Sequence, residues 1–144
     1  MLSDGGSLYL IADCHMGKSN NQSSHWFTSP LKLGKQMCER CHVNDAAARL
    51  QRVITVQDTV MNRAKTVENN LDAVLTKIEA LKADPNFDQA KLLQAKEAFM
   101  RGLFFWEWTV VSENSSGFHN SDEAAANLQA AEAEIAKAKP LLGL

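Results

Sequence analysis

The sequence predicts an all-α protein in which an irregular amino-terminal segment precedes a long helix, a second, antiparallel helix and a short carboxyl-terminal helix. Three observations favour this fold class. Residues 44–82 contain neither glycine nor proline. Apolar residues recur through that stretch at a seven-residue spacing. The last predicted helix is rich in alanine, the best helix former.

Residues 1–43 hold four glycines, many serines and asparagines, and no sustained periodicity. We therefore predict loops with short helical turns there, with little core of their own. A large apolar cofactor would supply the missing buried surface. The expected organisation is a loop-rich attachment segment at 1–43 and a helical hairpin plus carboxyl-terminal helix at 44–144, together one domain.

The long helix is expected to begin after a cap at Asn44 or Asp45 and to run to Lys82, about 55 to 60 Å. Its apolar seam has two rows: Val53, Val60, Val67, Val74 and Leu81, and beside them Leu50, Ala64, Leu71 and Ile78. A seam of this length exceeds what a small domain covers, so part of it is expected to meet a partner helix. Antiparallel packing within the chain and a homodimer through the same seam remain alternatives that can coexist.

A turn at residues 83–88, with Asp88 as N-cap, is expected to lead into a second helix ending at about Glu113. This helix carries an aromatic stripe: Phe99, Leu103, Trp106 and Val110, flanked by Phe104, Phe105 and Trp108. Such a stripe is more often core than cofactor pocket, although His119 follows closely and favours a pocket.

Gly117 is expected to end that region in a left-handed conformation, so that His119 projects from the turn. Asn120 or Ser121 then caps a third helix, Asp122 to Lys139, which Pro140 terminates. Its predicted inward face consists of Leu128, Ala131, Ile135 and Ala138.

The net charge of -2 and the scattered basic residues give no reason to expect a nucleic-acid partner. Residues 8–11 are too short an apolar run to span a bilayer, and no basic signal-peptide region precedes them, so direct membrane insertion is not expected. Neither a Gly-rich phosphate loop nor a nucleophile elbow is present in the sequence.

Cys38-Glu39-Arg40-Cys41-His42 forms a complete Cys-x-x-Cys-His motif. Two thiols at this spacing can bond to the two vinyl groups of one haem while the adjacent imidazole ligates its iron. The odd total of three cysteines argues against a closed disulfide framework. Zinc is the competing interpretation, but His42 is poorly placed to share a metal ion with the adjacent Cys41.

A low-spin haem needs two axial ligands, and the sequence offers His15 and His42 beside cysteines and the unassigned His25 and His119. One or two haems c are therefore expected. The first motif has Ile11 where a cysteine would stand, so Cys14 can form one thioether. The alternative is that Cys14 is an unused thiol and His15 an ordinary loop histidine.

Short motifs in order resemble the carboxyl-terminal part of the ammonia-forming pentahaem cytochrome c nitrite reductases, over nearly the whole chain from about residue 11. They are Ala12-Asp13-Cys14-His15-Met16, Ser24-His25-Trp26, Ser29-Pro30-Leu31, Cys38-x-x-Cys41-His42, Phe105-Trp106 and Ser112 to Asn120. The resemblance implies a multihaem cytochrome c fold. It assigns Cys14 and His15 to the family's fourth haem, with His119 as the distal ligand.

By the same resemblance, Cys38, Cys41 and His42 hold the fifth haem, and His25 matches a ligand of the second haem, whose attachment motif is absent. The histidine expected to cap the fifth haem has no counterpart in residues 1–10. The family's catalytic haem, active-site residues and calcium site lie in a part with no counterpart here, so no catalytic residue is assigned. The expected function is electron transfer.

Two alternatives remain: part of an active nitrite reductase completed by another chain, and a non-haem helical oligomerisation protein. Expected partners are a second copy of the chain, through the long helix, and a redox protein, for which a membrane-bound quinol-oxidising cytochrome is a candidate. Because thioether attachment of haem normally follows export, a periplasmic or other extracytoplasmic location is expected.

Overall fold

The computed structural model describes residues 11–19 and 22–144. It comprises two compact units, Met1–Ile54 and Thr55–Leu144. The described residues are mostly helical and include one two-stranded sheet, so the predicted all-α class is confirmed. Within the described part of the chain, no helix combines the length and apolar character needed to cross a membrane.

The amino-terminal unit consists of short elements. They are helix α1 (Ile11–His15), strands β1 (Met16–Ser19) and β2 (Gln22–Phe27), and helices α2 (Pro30–Leu33) and α3 (Gln36–Glu39). The strands pair antiparallel, with Met16 opposite Phe27 and an irregularity between Met16 and Lys18.

This hairpin corrects the prediction of loops and helical turns in that region. Residues 18–24 are all polar, so no alternation of apolar and polar side chains reveals the strands, which are joined by main-chain pairing. The predicted loops over residues 1–10 and 20–21 lie outside the described residues.

The long helix α4 spans Ala46–Lys82 and has 37 residues, as predicted. Its seam is confirmed as core within the chain from Val60 onward. The buried members are Val60, Ala64, Val67, Leu71, Val74 and Ile78, and Leu81 packs partly buried against them. The apolar period thus specifies a face that the two later helices cover.

Helix α5 spans Gln89–Glu107 and continues as a π-helical turn, Trp108–Ser112, so the predicted end near Glu113 is confirmed. The carboxylate of Asp88 caps α5 by accepting the amides of Ala90 and Lys91. The core interpretation of the aromatic stripe is also confirmed. Phe99 is buried, and Leu103, Phe105, Trp106 and Val110 pack against the core.

Helix α6 spans Ser121–Leu142, and the Asn120 side chain caps it by accepting the Glu123 amide. The predicted inward face is confirmed by the burial of Leu128, Ala131, Ile135 and Ala138. The predicted stop at Pro140 is wrong. Pro140 lies in the last turn, where one hydrogen bond is lost, while the burial of Leu142 and a left-handed Gly143 cap hold that turn in place.

Side-chain contacts show how the three long helices pack in the carboxyl-terminal unit. The indole of Trp106 reaches the Ala64 carbonyl, and a Cβ on Gly102 would lie 3.4 Å from both the Ala131 carbonyl oxygen and a Leu71 methyl. Gly102 therefore lets α5 approach α4 and α6 closely. The loop at residues 113–120, which carries His119, follows the π-helical turn at the end of α5.

Candidate haem-binding site

The Cys38–His42 segment forms one tight turn at the end of α3. The Cys38 carbonyl accepts the amide of Cys41 at 3.1 Å and that of His42 at 2.8 Å. Cys38 is partly buried, whereas Cys41 and His42 are exposed. Both thiols are free. The turn therefore places two free thiols and an imidazole within one short stretch of backbone.

A carboxylate orients the imidazole of this motif. Nδ1 of His42 lies 3.3 Å from Oδ1 of Asp45, and the other carboxylate oxygen binds Arg49 at 2.7 Å. A proton on Nδ1 facing the carboxylate leaves the coordinating lone pair on Nε2, the arrangement common to metal-bound histidines. Sequence reasoning treated Asp45 only as a helix cap, although an aspartate three residues after the histidine was a signal for this contact.

The first motif lies at the end of α1 and is held by the β-hairpin. The His15 Nδ1 lies 3.1 Å from the Thr28 carbonyl oxygen, and the Thr28 amide donates to the His15 carbonyl at 2.9 Å. The His15 ring stacks on Phe27 with 4.5 Å between ring centroids and 7° between planes. The hairpin that the sequence did not reveal thus fixes the orientation of a predicted ligand.

The structure brings the two cysteine motifs together within the amino-terminal unit. Partial burial of the Cys14 thiol raises its pKa, and the nearby Cys41 and Asp13 raise it further. The guanidinium of Arg40, between the paired cysteines, donates to the Asp13 carbonyl at 3.0 Å. Sequence reasoning placed these thiols at separate haems, and their proximity is a tertiary contact that no local pattern encodes.

His25 lies on β2 and is exposed to solvent. Its neighbour Trp26 is 82% exposed. A surface strand thus carries the residue that the resemblance matched to a ligand of a haem with no attachment motif in this sequence.

His119 belongs to the carboxyl-terminal unit, in the 113–120 loop. Its amide donates to the Ser115 hydroxyl at 2.8 Å, and its exposed ring lies beside that of Phe118. Ser116 and Gly117 both have positive φ, 55° and 83°. The predicted left-handed glycine is confirmed, and the chain reverses there to display the imidazole.

Sequence reasoning did not identify the carboxylate that organises this loop. Glu113 accepts hydrogen bonds from the Gly117 amide at 2.6 Å and from the Ser115 amide and hydroxyl at 3.2 and 2.5 Å. Burial alone would raise the Glu113 pKa, but these hydrogen bonds outweigh it and the pKa lies below its ordinary value.

The zinc interpretation requires at least one more donor near Cys38, Cys41 and His42. Across residues 11–19 and 22–144, no three His, Cys, Asp or Glu side chains are grouped so that they could hold a metal ion. The donor chemistry of the second motif fits haem c instead, with two free thiols on one turn and an imidazole whose Nδ1 faces a carboxylate. The first motif offers one thiol and one imidazole.

Fold and donor set together define a c-type cytochrome. Residues 10–143 match the model of the cytochrome c552 family, and the chain belongs to that family. Haem c is accordingly its expected cofactor.

Two relatives extend the comparison. The chain is 31% identical over 134 residues to the cytochrome c nitrite reductase subunit NrfA of Nitratidesulfovibrio vulgaris, covering 83% of this chain and 25% of that protein. The catalytic subunit NrfA of cytochrome c nitrite reductase from Desulfovibrio desulfuricans, described with two calcium sites, superposes with a TM-score of 0.74 at 29% identity, covering 91% of this chain and 28% of that one.

The resemblance predicted from sequence motifs is therefore confirmed. The chain spans about a quarter of the length of these relatives, which agrees with the expectation that it corresponds to a carboxyl-terminal part of the family.

Proposed function

We propose that the chain is an electron-transfer module that carries one or two haems c. The observation that carries this proposal is the Cys38–His42 turn, where two free thiols precede an imidazole whose Nδ1 faces the Asp45 carboxylate. A bound haem would supply one-electron chemistry, its iron cycling between the ferrous and ferric states. The chain's own part is to fix the haem by Cys38 and Cys41 and to offer His42 as an axial ligand.

The family resemblance implies a second haem, which Cys14 would hold through one thioether, with His15 and His119 as its ligands. Each of the two histidines is held by contacts within its own unit. The His15 Nδ1 faces the Thr28 carbonyl, which favours coordination by the other ring nitrogen. The 113–120 loop is held by a dense hydrogen-bond network. His25, exposed on β2, is proposed to remain outside both haems.

A second candidate function is nitrite reduction to ammonia by an assembly in which other protein supplies the catalytic haem. It is favoured by the similarity to two NrfA subunits, of which this chain spans about a quarter. In that assembly the module would deliver electrons and no residue of this chain would be catalytic.

The proposed partners are a redox protein and a second copy of the chain. Leu75 on α4 and Met100 on α5 are 41% and 59% exposed and lie at one cleft between those helices. These apolar side chains support dimerisation along α4. Because c-type haem is attached after export, the proposed location is extracytoplasmic.

An absorption spectrum of the full chain, produced with the cytochrome c maturation machinery, tests the proposed function. We expect a Soret band, and α and β bands that sharpen on reduction with dithionite. A pyridine haemochrome assay would then count the haems. The absence of a Soret band would contradict both candidate functions. Nitrite-dependent reoxidation of a reduced viologen would favour the second, whereas a reducible chain without turnover would favour electron transfer alone.

A further inference from the structure

We propose that Glu113 is a positioning residue whose carboxylate, acting through the Ser115 hydroxyl, holds the loop in the conformation that presents the His119 imidazole to a haem iron. This inference rests on the proposed role of His119 as an axial ligand. It assigns a specific task to Glu113 and Ser115, which act on the loop.

Three hydrogen-bond donors converge on the Glu113 side chain. One oxygen of Glu113 accepts the amides of Gly117 and Ser115 at 2.6 and 3.2 Å, and the other accepts the Ser115 hydroxyl at 2.5 Å. Hydrogen bonds to an ionised acceptor are about twice as strong as neutral ones. The carboxylate therefore closes the 113–117 segment into a ring of contacts.

The Ser115 hydroxyl connects that ring of contacts to His119. The Ser115 hydroxyl donates to Glu113 and accepts the His119 amide at 2.8 Å. A hydroxyl that donates its one proton to a carboxylate is oriented with its lone pairs toward other donors. The main chain of His119 is thus tied to Glu113 through one atom.

Contacts with α4 anchor the loop to the helical bundle. The Gln57 side chain on α4 donates to the Ser115 carbonyl at 2.9 Å, and Ser115 is buried at 8% exposure. A Cβ on Gly117 would lie 2.7 Å from a Val60 methyl, so the turn lies directly against α4. The loop therefore packs against α4, while the His119 imidazole is exposed to solvent.

Backbone conformation explains why such support is needed. Ser116 has a φ of 55°, and Gly117 follows with 83°. A non-glycine residue in the left-handed region costs free energy and persists where surrounding contacts hold it. The Glu113 carboxylate binds amides on both sides of Ser116, which is where that restraint acts.

The test compares Glu113→Ala, Glu113→Gln and Ser115→Ala in the full chain matured with haem. Glu97→Ala, at an exposed carboxylate on α5, is the matched control, and His119→Ala is the reference for a lost ligand. Two quantities are measured: hydrogen exchange at the Gly117 and His119 amides, and the low-spin and high-spin haem signals by electron paramagnetic resonance and absorption.

We expect Glu113→Ala to speed exchange at both amides by about tenfold or more. The Gly117 amide loses its charged acceptor, and the Ser115 hydroxyl that accepts the His119 amide loses the carboxylate that orients it. Glu113→Ala should also produce part of the high-spin signal seen in His119→Ala. Ser115→Ala should produce part of that signal as well, and it should speed hydrogen exchange at the His119 amide. Glu113→Gln retains an acceptor oxygen and should fall between Glu113→Ala and the parent chain. Glu97→Ala should match the parent chain in both measurements.

Parent-like exchange, or a parent-like low-spin spectrum, in Glu113→Ala would overturn the proposal. Should the alanine variant fail to fold, parent-like behaviour of both Glu113→Gln and Ser115→Ala would overturn it. Failure of the ligand assignment itself has a separate signature. A His119→Ala spectrum identical to that of the parent chain would show that His119 is not a ligand. That result would refute the ligand assignment of the proposed function and the positioning role with it.

Discussion

The indole Nε1 of Trp106 donates a hydrogen bond of 2.9 Å to the main-chain carbonyl of Ala64. This contact joins the aromatic stripe of α5 to the buried seam of α4, where Ala64 is 1% exposed. The aromatic stripe therefore has a structural role in packing α5 against α4. Its position matters for function because α5 leads directly into the π-helical turn and the loop that carries His119.

Trp106→Phe should lower the free energy of unfolding by about 1 to 2 kcal/mol, since the hydrogen bond to Ala64 and some packing volume are lost. Equilibrium denaturation in urea measures this change. Phe104→Leu is the control, because Phe104 is 63% exposed and its replacement should change stability by less than about 0.5 kcal/mol. Equal effects of the two substitutions would contradict a structural role for the Trp106 contact.

Gly117→Ala and Gly143→Ala separate backbone strain from steric clash. Both glycines have positive φ, 83° and 73°, but an added Cβ meets a Val60 methyl at 2.7 Å only in the case of Gly117. We expect Gly143→Ala to cost about 1 kcal/mol and Gly117→Ala about 2 to 5 kcal/mol in unfolding free energy. Thermal or urea unfolding of the two variants measures the difference.

Val60→Ala provides a further check on the Gly117 prediction. Its combination with Gly117→Ala should be less destabilising than the sum of the two single changes, because the clashing methyl groups are gone. Strict additivity would mean that the turn does not press on α4.

How much of this structure the sequence predicts depends on whether the signal is local. The seven-residue period of α4, the Asp88 cap and the left-handed Gly117 follow from spacing and backbone preference, and all are confirmed. The strands Met16–Ser19 and Gln22–Phe27 were missed because most of their side chains are polar and show no alternation with apolar ones. The continuation of α6 past Pro140 was missed because it depends on the burial of Leu142.

The candidate site likewise combines features that have a local sequence signal with features that depend on tertiary contacts. The attachment motif is legible in the sequence because covalent chemistry fixes the spacing of its two cysteines and its histidine. His25 and His119 are recognised only as residue types that can ligate iron. The contact of Asp45 with His42, the approach of Cys14 to Cys41, and the Glu113 network require a fold to bring the groups together. Residues that position the site through tertiary contacts are therefore the ones that sequence patterns do not predict.

Stability should fall in acid partly through Glu134, whose carboxylate binds Lys137 at 2.5 Å and Arg101 at 2.9 Å. These hydrogen bonds lower its pKa below the ordinary value of 4.5. Because the folded-state pKa is the lower one, the contribution is fully present above the ordinary value and is lost as pH falls through the folded-state pKa.

Glu134→Gln should therefore flatten the acid limb of the stability curve below about pH 5. At neutral pH it should cost about 1 kcal/mol or less, since Arg101 and Lys137 are exposed. Urea denaturation from pH 3 to pH 7 measures both effects, with Glu97→Gln as the control. An unchanged acid limb would show that the ion pairs do not contribute. The curve should not flatten fully, because the pKa of Glu132 is lowered as well, by Arg63.

Asp45→Asn should raise the midpoint potential of the haem held by the Cys38 motif, because a carboxylate facing Nδ1 makes His42 a stronger donor to ferric iron. The expected rise is up to about 59 mV, equivalent to a tenfold change in a one-electron equilibrium. Potentiometric titration followed by absorption measures it. Glu39→Gln, at a carboxylate paired with Lys35, should leave the potential within error of the parent chain. Equal shifts in the two variants would point to general charge rather than to the His42 contact.

Intact-mass spectrometry of the chain matured with haem tests the central claim most directly, because thioether-bound haem survives denaturation. We predict a mass increase of one or two haems, with one haem lost in the Cys38→Ser/Cys41→Ser double variant. If the parent chain carries two, Cys14→Ser should lose the other. A parent chain whose mass shows no bound haem would contradict the assignment of these thiols as the haem attachment sites. So would haem that is still bound when Cys38→Ser, Cys41→Ser and Cys14→Ser are combined.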